Sequence, residues 1–552
     1  MLSAWAPASV LALRDYSRRL FLHDVLAGVT VGLVALPLAM AFAIASGLTP
    51  QSGIYCAIVT GFIISALGGS KYQIGGPTGA FVVVIAAIIA EHGVSGLFMC
   101  TMMAGVMLVI LGASGMGTTV NYLPRPVVVG FTNGIAVLIA STQIKDFLGL
   151  RIDQVPAAFV PRLQVLAQHM HTMVPSAALL GIIALLVILV LRRRVPAVPG
   201  TIVALLGGTA VVAIAGLDVE TIGTRFGGIP SGLPHPMIPE FHVSLIPPLL
   251  RPALTVAMLG AIESLMSAVV ADRMSGDRHN PNVELVAQGI ANIVSPIFGG
   301  LPATGAIART ATNIRSGART PVAGMIHAVT LLVVLVAAAP LASYIPMAIL
   351  GAILLVVSYN MGEWHEIPRL LKLTKTDISV WLVTFFLTVF ADLTLAVEVG
   401  MILAALLFIR RVAVTTTVSR VTADYVDAGR VHILQDKPIP PYVTVFRIHG
   451  PFLFGVTDKM AHITDHIDQL PPIVMVRLRN MTAIDATGLR TLEDLADQLR
   501  ASGRTLVLCG AREQPSAVME AAEFHRRIGE ANICPNIQAA LERAREIHAE
   551  LS

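Results

Sequence analysis

Charge is what this chain most lacks. Of its 552 residues, 38 are Lys or Arg and 34 are Asp or Glu, 13% in all. Soluble proteins carry about 25%. So little charge excludes a disordered chain, and a net charge of +4 is too small to hold a polyanion such as nucleic acid. Cysteine is scarce too. Cys56, Cys100, Cys509 and Cys534 are widely scattered and form no C-x-x-C, which argues against a thiolate metal site or a disulfide framework. There is no P-loop and no H-E-x-x-H, so neither ATP hydrolysis nor zinc hydrolysis has support, and no motif calls for a cofactor. The first residues hold Arg14, Arg18 and Arg19 but no short apolar core ending in a cleavage site. What the chain has in excess is apolar surface: 55% hydrophobic residues and a mean hydropathy of +0.76. A polytopic membrane protein is the class that remains, with the lipid bilayer as its partner.

The charges that exist are unevenly placed. Residues 1–22 read as a cytoplasmic N-terminal segment and 23–414 as a transmembrane domain. Residues 415–435 read as a linker and 436–552 as a small soluble domain. At ~20 residues per crossing, the apolar part yields about fourteen candidate spans. Those near 81–90, 286–297 and 305–313 are too short or too interrupted for plain crossings. With Arg18 and Arg19 in the cytoplasm, counting crossings puts five later basic clusters on the same side: Arg192–Arg194, Arg273 with Arg278, Arg315 with Arg319, Lys372 with Lys375, and Arg410 with Arg411. Lys145, Arg151 and Arg162 are exceptions. The expected location is the inner (plasma) membrane with both termini cytoplasmic. The tail alternates strands (443–448, 473–478, 505–509) and helices (488–500, 516–523, 537–551), a small α/β layer fold.

One pattern recurs. Gly68-Gly69 is followed by Gly75-Gly76-Pro77-Thr78-Gly79-Ala80, and later Gly299-Gly300 by Pro302-Ala303-Thr304-Gly305-Ala306. Roughly seven crossings separate the two, and an odd number makes the repeats inverted. Backbone that leaves a helix inside a bilayer must be buried in protein or line a wet cavity. The two breaks are therefore expected to meet near the midplane, each starting a half-helix. A helix N-terminus offers free N–H groups and about +0.5 of an elementary charge. Two opposed N-termini would hold an anion with no charged side chain, Thr78 and Thr304 would add hydroxyl donors, and Gly79 and Gly305 would allow close approach.

Several longer motifs carry a family resemblance. Leu36-Pro37-Leu38-Ala39-Met40 through Thr49-Pro50, Gly130-Phe131-Thr132-Asn133-Gly134 with Gln143-Ile144-Lys145-Asp146, and Gly317-Ala318-Arg319-Thr320-Pro321 resemble the SulP sulfate permease family, in order along the chain. The tail, with Ile484-Asp485-Ala486-Thr487-Gly488-Leu489, resembles a STAS domain. The resemblance implies an all-α membrane domain of seven-plus-seven inverted repeats with core and gate subdomains, followed by the small α/β tail. It also implies anion transport by an elevator-like motion, in a homodimer. The family's ligand sits between the third and tenth helices, here Thr78, Gly79, Ala80, Ala306, Ile307, Ala308 and Arg309.

Two ionisable residues fall in apolar surroundings, where a charge costs roughly 2.5–3.5 kcal/mol on insertion scales. They are Glu263 and Arg309. They would either form a structural salt bridge or act in transport, with Arg309 attracting the anion and Glu263 handling the coupling ion. Protonating Glu263 removes repulsion on the anion, and the anion in turn favours the proton. Glu263 with Ser267, four residues on, shares a helical face and would instead suit sodium. Sodium-coupled bicarbonate members of the family typically have Asp and Thr there, which favours the proton. Asn133 and Gln143 are expected to hydrogen-bond within the gate. In the tail, Asp485 or Thr487 would cap the following helix. Soluble STAS proteins commonly carry a phosphorylated Ser near here, which makes Thr487 a candidate regulatory site and a cytosolic partner of the tail conceivable. The expected function is secondary active transport of a small inorganic anion, sulfate first and proton-coupled. Sodium-coupled bicarbonate transport, C4-dicarboxylate transport and an uncoupled anion channel stay open.

Overall fold

A computed structural model describes residues 5–117, 124–152, 155–195, 198–229, 236–237, 239–391, 393–420, 439–453, 460 and 466–551. Contacts divide the chain into two units, Met1–Leu403 and Ala404–Ser552.

The first unit is helical. In chain order its principal helices are α1 (Arg18–Ala45), α2 (Pro50–Leu67), α3 (Ala80–Ala113), α4 (Arg125–Leu148), α5 (Phe159–Gln168), α6 (Pro175–Arg194) and α7 (Gly200–Ala215). There follow α8 (Ile246–Ser275), α9 (Pro281–Val294), α10 (Ile307–Arg315), α11 (Val322–Ala342), α12 (Met347–Met361), α13 (Lys375–Phe390) and α14 (Leu393–Thr415). Eight helices among the described residues are long and apolar enough to cross a membrane. The segments expected to be short are so: α9 has 14 residues and α10 nine. α3 is broken at Gly93, whose φ of 69° and ψ of −176° interrupt the helix. The apolar run that begins at Ala80 is therefore a half-helix followed by a second, longer segment.

Small residues set the helix packing, as lipid offers no hydrophobic drive between helices. Gly105 of α3 and Gly289 of α9 face each other so closely that a β-carbon on Gly289 would stand 2.5 Å from the Gly105 carbonyl oxygen. Two helix groups result. α1, α2, α3, α8, α9, α10 and α11 pack together, and α4, α6, α12 and α13 form a second group. Two buried carboxylates tie turns to helices in the first group. Asp24 of α1 accepts from the Arg319 and Thr320 amides (2.8 and 3.1 Å) and from the Thr320 hydroxyl (2.6 Å). Glu284 of α9 accepts from the Gly69 and Ser70 amides (2.9 and 3.1 Å). These bonds explain two of the glycine-rich motifs: each presents bare amides to a carboxylate.

The second unit contains a five-stranded sheet in the order β3-β4-β5-β6-β7, formed by Thr417–Arg420, Val443–Phe452, Ile473–Ile484, Thr505–Cys509 and Ile533–Cys534. β3 is antiparallel to β4, and the other pairs are parallel. Helices α15 (Ala486–Ala501), α16 (Glu513–Ala521) and α17 (Ile537–Leu551) follow the strand–helix alternation read from the sequence. Val474, Val476 and Leu478 pack with Leu492 and Leu495 on one side of the sheet. Ile473, Met475 and Val507 pack with Leu541 and Ala544 on the other.

The expected linker needs correction. α14 runs to Thr415, and Thr417–Arg420 is an edge strand hydrogen-bonded to β4, so the soluble unit begins earlier than 436. An isolated four-residue strand carries no pattern legible without its partner. The rest of that linker, 421–435, lies outside the described residues.

Candidate anion-binding site

The two sequence breaks meet. Gly75–Gly76 (β1) and Thr304–Gly305 (β2) form a two-residue antiparallel ladder, with Gly75 opposite Gly305 and Gly76 opposite Thr304. Glycine suits both strands, at Gly76 because of its backbone conformation and at Gly305 because a side chain closes over it. A β-carbon on Gly305 would lie 2.0 Å from Gln73 Nε2, and one on Gly76, at φ 147°, would lie 2.6 Å from Arg309 Nη1. The ladder satisfies backbone that neither helix can. The Ala306 amide also donates to the Ile74 carbonyl at 2.9 Å. α3 then starts after Gly79 and α10 after Ala306, and neither N-terminus has a side-chain cap. The first amides of both half-helices are thus left without a side-chain partner, and Thr78 and Gly79 on one side and Ile307, Ala308 and Arg309 on the other reach the space between them.

α8 passes beside the ladder and uses two adjacent faces. Leu259, Ile262, Glu263 and Met266 face a cavity of about 310 Å³, while Ser264 and Ser267 face the ladder. Ser264 Oγ accepts from the Gly305 amide (3.1 Å) and lies 2.7 Å from Thr304 Oγ1, which donates to the Gly260 carbonyl (3.0 Å). Ser267 donates to Thr310 Oγ1 at 3.1 Å, and the same oxygen accepts from the Ile74 amide. Across from the ladder, Asn292 of α9 clasps Ala303, accepting from its amide and donating to its carbonyl, both at 2.9 Å.

The cavity is lined by Thr78, Gly79, Glu263 and Gly305 through Arg309 from the first helix group. Thr78 donates to Glu263 Oε2 at 2.9 Å. Arg309, 3% exposed, donates from Nη2 to the Pro77 carbonyl, and its buried Nη1 has no hydrogen-bond partner among the described residues. Among the described residues no contact ion pair joins Arg309 to Glu263, so the salt-bridge reading of these two charges is not what the structure shows. The opposite wall comes from the second group: Val127, Val128, Phe131 and Thr132 of α4, Val357, Asn360 and Met361 of α12, and Glu363.

Of the residues singled out from sequence, Thr78, Gly79, Glu263, Gly305, Ala306, Ile307, Ala308 and Arg309 line this one cavity. Thr304, Ala80 and Ser267 do not line it. All three are buried, and Thr304 and Ser267 spend their hydroxyls on the ladder's supports. The carboxylate and hydroxyl expected to share a cation therefore turn to different neighbours. Ser264, Asn292 and the whole opposite wall were missed. Its apolar members Val127, Val128, Phe131, Val357 and Met361 carry no local pattern that distinguishes them from lipid-facing helix. Asn133 does hydrogen-bond within the second group: it donates to the Gly362 carbonyl and accepts from Trp381 Nε1 at 2.9 Å. Gln143 donates to Thr142 Oγ1 at 2.7 Å. In the soluble unit, Asp485 Oδ1 caps α15 by accepting from the Gly488 amide at 2.8 Å, and Thr487 is exposed on the first turn.

Comparison with known proteins assigns the family. The model of the sulfate permease family matches residues 21–384, and that of the STAS domain matches 435–540. The chain belongs to the sulfate permease family. It is 40% identical over 523 residues to the putative sulfate transporter YvdB of Bacillus subtilis, covering 94% of this chain and 96% of that one. It is 31% identical over 535 residues to the bicarbonate transporter BicA of Synechocystis sp., covering 94% of each. Among solved structures, the transmembrane domain of a cyanobacterial bicarbonate transporter BicA matches 71% of this chain and 98% of its own, with 33% identity and a TM-score of 0.62. The structure of SLC26A9 covers 98% of this chain and 92% of that one with a TM-score of 0.87, at 16% identity, which shows the shared fold. As a sulfate permease family member the protein is a multi-pass membrane transporter of anions and not an enzyme. The two glycine-rich breaks that first marked the site lie within the matched region.

Proposed function

We propose that this family member is a secondary active transporter that couples uptake of a small inorganic anion, sulfate first, to protons by alternating access. One observation carries the reading: the uncapped N-termini of α3 and α10 open on the same cavity as Arg309, with Glu263 held by Thr78 beside them. An anion there takes backbone amides from two helix ends and the charge of Arg309. A proton on Glu263 then lowers the cost of bringing that anion in. The first helix group is the moving core and the second the gate. With the half-helices counted, we take the spans as fourteen in two inverted sets of seven, in a homodimer with cytoplasmic termini. Ser267 is engaged with Thr310, away from the cavity, which favours a proton over sodium as the coupling ion.

Bicarbonate is the second reading, favoured by the BicA relatives at 31% and 33% identity. Uptake of labelled sulfate by purified protein in liposomes, with bicarbonate and fumarate as competitors and imposed proton or sodium gradients, separates the two. Sulfate uptake driven by an inward proton gradient and lost in Arg309→Ala is the expected result. Arg309→Lys guards against misfolding, since Arg309 also holds the Pro77 carbonyl. Transport driven by sodium and indifferent to pH would reject the proton reading.

A further inference from the structure

The gate wall contributes one carboxylate to the cavity, Glu363. Its backbone is left-handed, φ 42° and ψ 35°, a region that residues other than Gly, Asn and Asp rarely adopt. Its neighbours on both sides are held. Asn133 holds the Gly362 carbonyl, Trp381 holds Asn133, and Trp364 Nε1 donates to the Tyr359 carbonyl at 2.8 Å. The Trp364 ring also lies so close that a β-carbon on Gly362 would stand 2.3 Å from it. A turn so over-determined keeps Glu363 aimed into the cavity. Behind the cavity wall its Oε2 stands 3.3 Å from Nη2 of Arg125, the first residue of α4, whose side chain is 55% exposed and does not itself line the cavity. A cation at a helix N-terminus sits at the end that favours an anion, and Glu363 supplies one that is covalently attached. Glu366 is also near Arg125, at 3.7 Å, but it is engaged by Arg369 at 2.9 Å and does not line the cavity.

We propose that Glu363 is a charge-selecting residue of the anion path. Its carboxylate repels an incoming anion in the cavity, with Arg125 behind it offsetting part of that repulsion, and penalises dianions more than monoanions. Electrostatic work is proportional to the ligand's charge, so its effect on a dianion is the square of its effect on a monoanion when expressed as a fold-change. This inference rests on the anion-transport reading.

The test uses the purified full-length protein in chloride-free buffer at pH 8. Apparent affinities for sulfate and for bicarbonate are read from concentration-dependent thermal stabilisation, alongside uptake. Glu363→Gln is expected to tighten bicarbonate by about three- to tenfold and sulfate by about the square of that factor. Arg125→Gln is expected to weaken both with the same scaling. Glu366→Gln, which alters the same arginine's neighbourhood outside the cavity, is expected to shift either anion far less. Glu363→Asn, which tolerates the left-handed turn, repeats the charge removal if the Gln variant does not fold. Equal shifts for both anions, a loosening in Glu363→Gln, or an equal effect of Glu366→Gln would overturn the proposal and leave the carboxylate a structural partner of Arg125. A parent protein that neither binds nor transports either anion would sink the transport reading and this inference together. Binding by the parent without the squared shift would sink this inference alone.

Discussion

Replacing Glu263 by Gln removes one charge and little else, since an amide oxygen still accepts the Thr78 hydroxyl that now lies 2.9 Å from Oε2. A carboxylate so placed stands roughly 6 to 8 Å from an anion held at the first amides of α3. At an effective dielectric of ~20, that separation corresponds to about 2 to 3 kcal/mol of repulsion on a monoanion. The variant should therefore hold a monoanion roughly 30- to 150-fold more tightly, since each 1.36 kcal/mol is a factor of ten. It should also lose the ability to accumulate anion against a gradient, because the group that exchanges a proton for this repulsion is gone. Equilibrium binding to purified protein measures the first effect. Proteoliposome uptake with an inward proton gradient measures the second. Proton-driven accumulation at the parent level in Glu263→Gln would refute the assignment of Glu263 as the coupling residue, whatever the binding data show.

Three further outcomes are expected. Gly289→Ala puts a β-carbon 2.5 Å from the Gly105 carbonyl oxygen, where only backbone movement gives relief; it should destabilise the α3–α9 contact by about 1–3 kcal/mol, seen as a lowered melting temperature in detergent, and an unchanged one would contradict the packing. Burial pushes the Cys509 thiol up to about 12, so at pH 7 its thiolate is roughly three orders of magnitude scarcer than that of an ordinary thiol; maleimide should leave Cys509 unlabelled in the folded protein and modify it on unfolding, and rapid native labelling would rule out this burial. Thr487 exposes its hydroxyl on the first turn of α15, where added negative charge suits the helix end; if the tail regulates transport, Thr487→Asp and Thr487→Ala should give different uptake rates, and identical rates would remove the basis for a switch there.

Much of the membrane unit could be read from the chain because a bilayer imposes local rules. Twenty apolar residues per crossing and glycine or proline where a helix must break are written residue by residue. The breaks at Gly75–Gly76 and Thr304–Gly305 therefore marked the site before any contact was known, and Glu263 and Arg309 marked it again as charges out of place. Packing alone decided the rest. Ser267 shares a face with Glu263 by helical periodicity, yet the ladder turns it to Thr310. Thr304 was a candidate ligand donor, yet the neighbouring Gly260 carbonyl and Ser264 take its hydroxyl. Val127, Phe131 and Met361 look like any lipid-facing side chain until the two helix groups enclose a cavity between them. Glu363 is one acid near a helix end until its left-handed turn and Arg125 give it a direction. The sequence alone thus determined where the backbone must leave the helix and which charges fall within apolar segments, because both carry a local cost. Which hydroxyls meet the anion and what forms the far wall depended on helices far apart in the chain, and only the tertiary structure decided them.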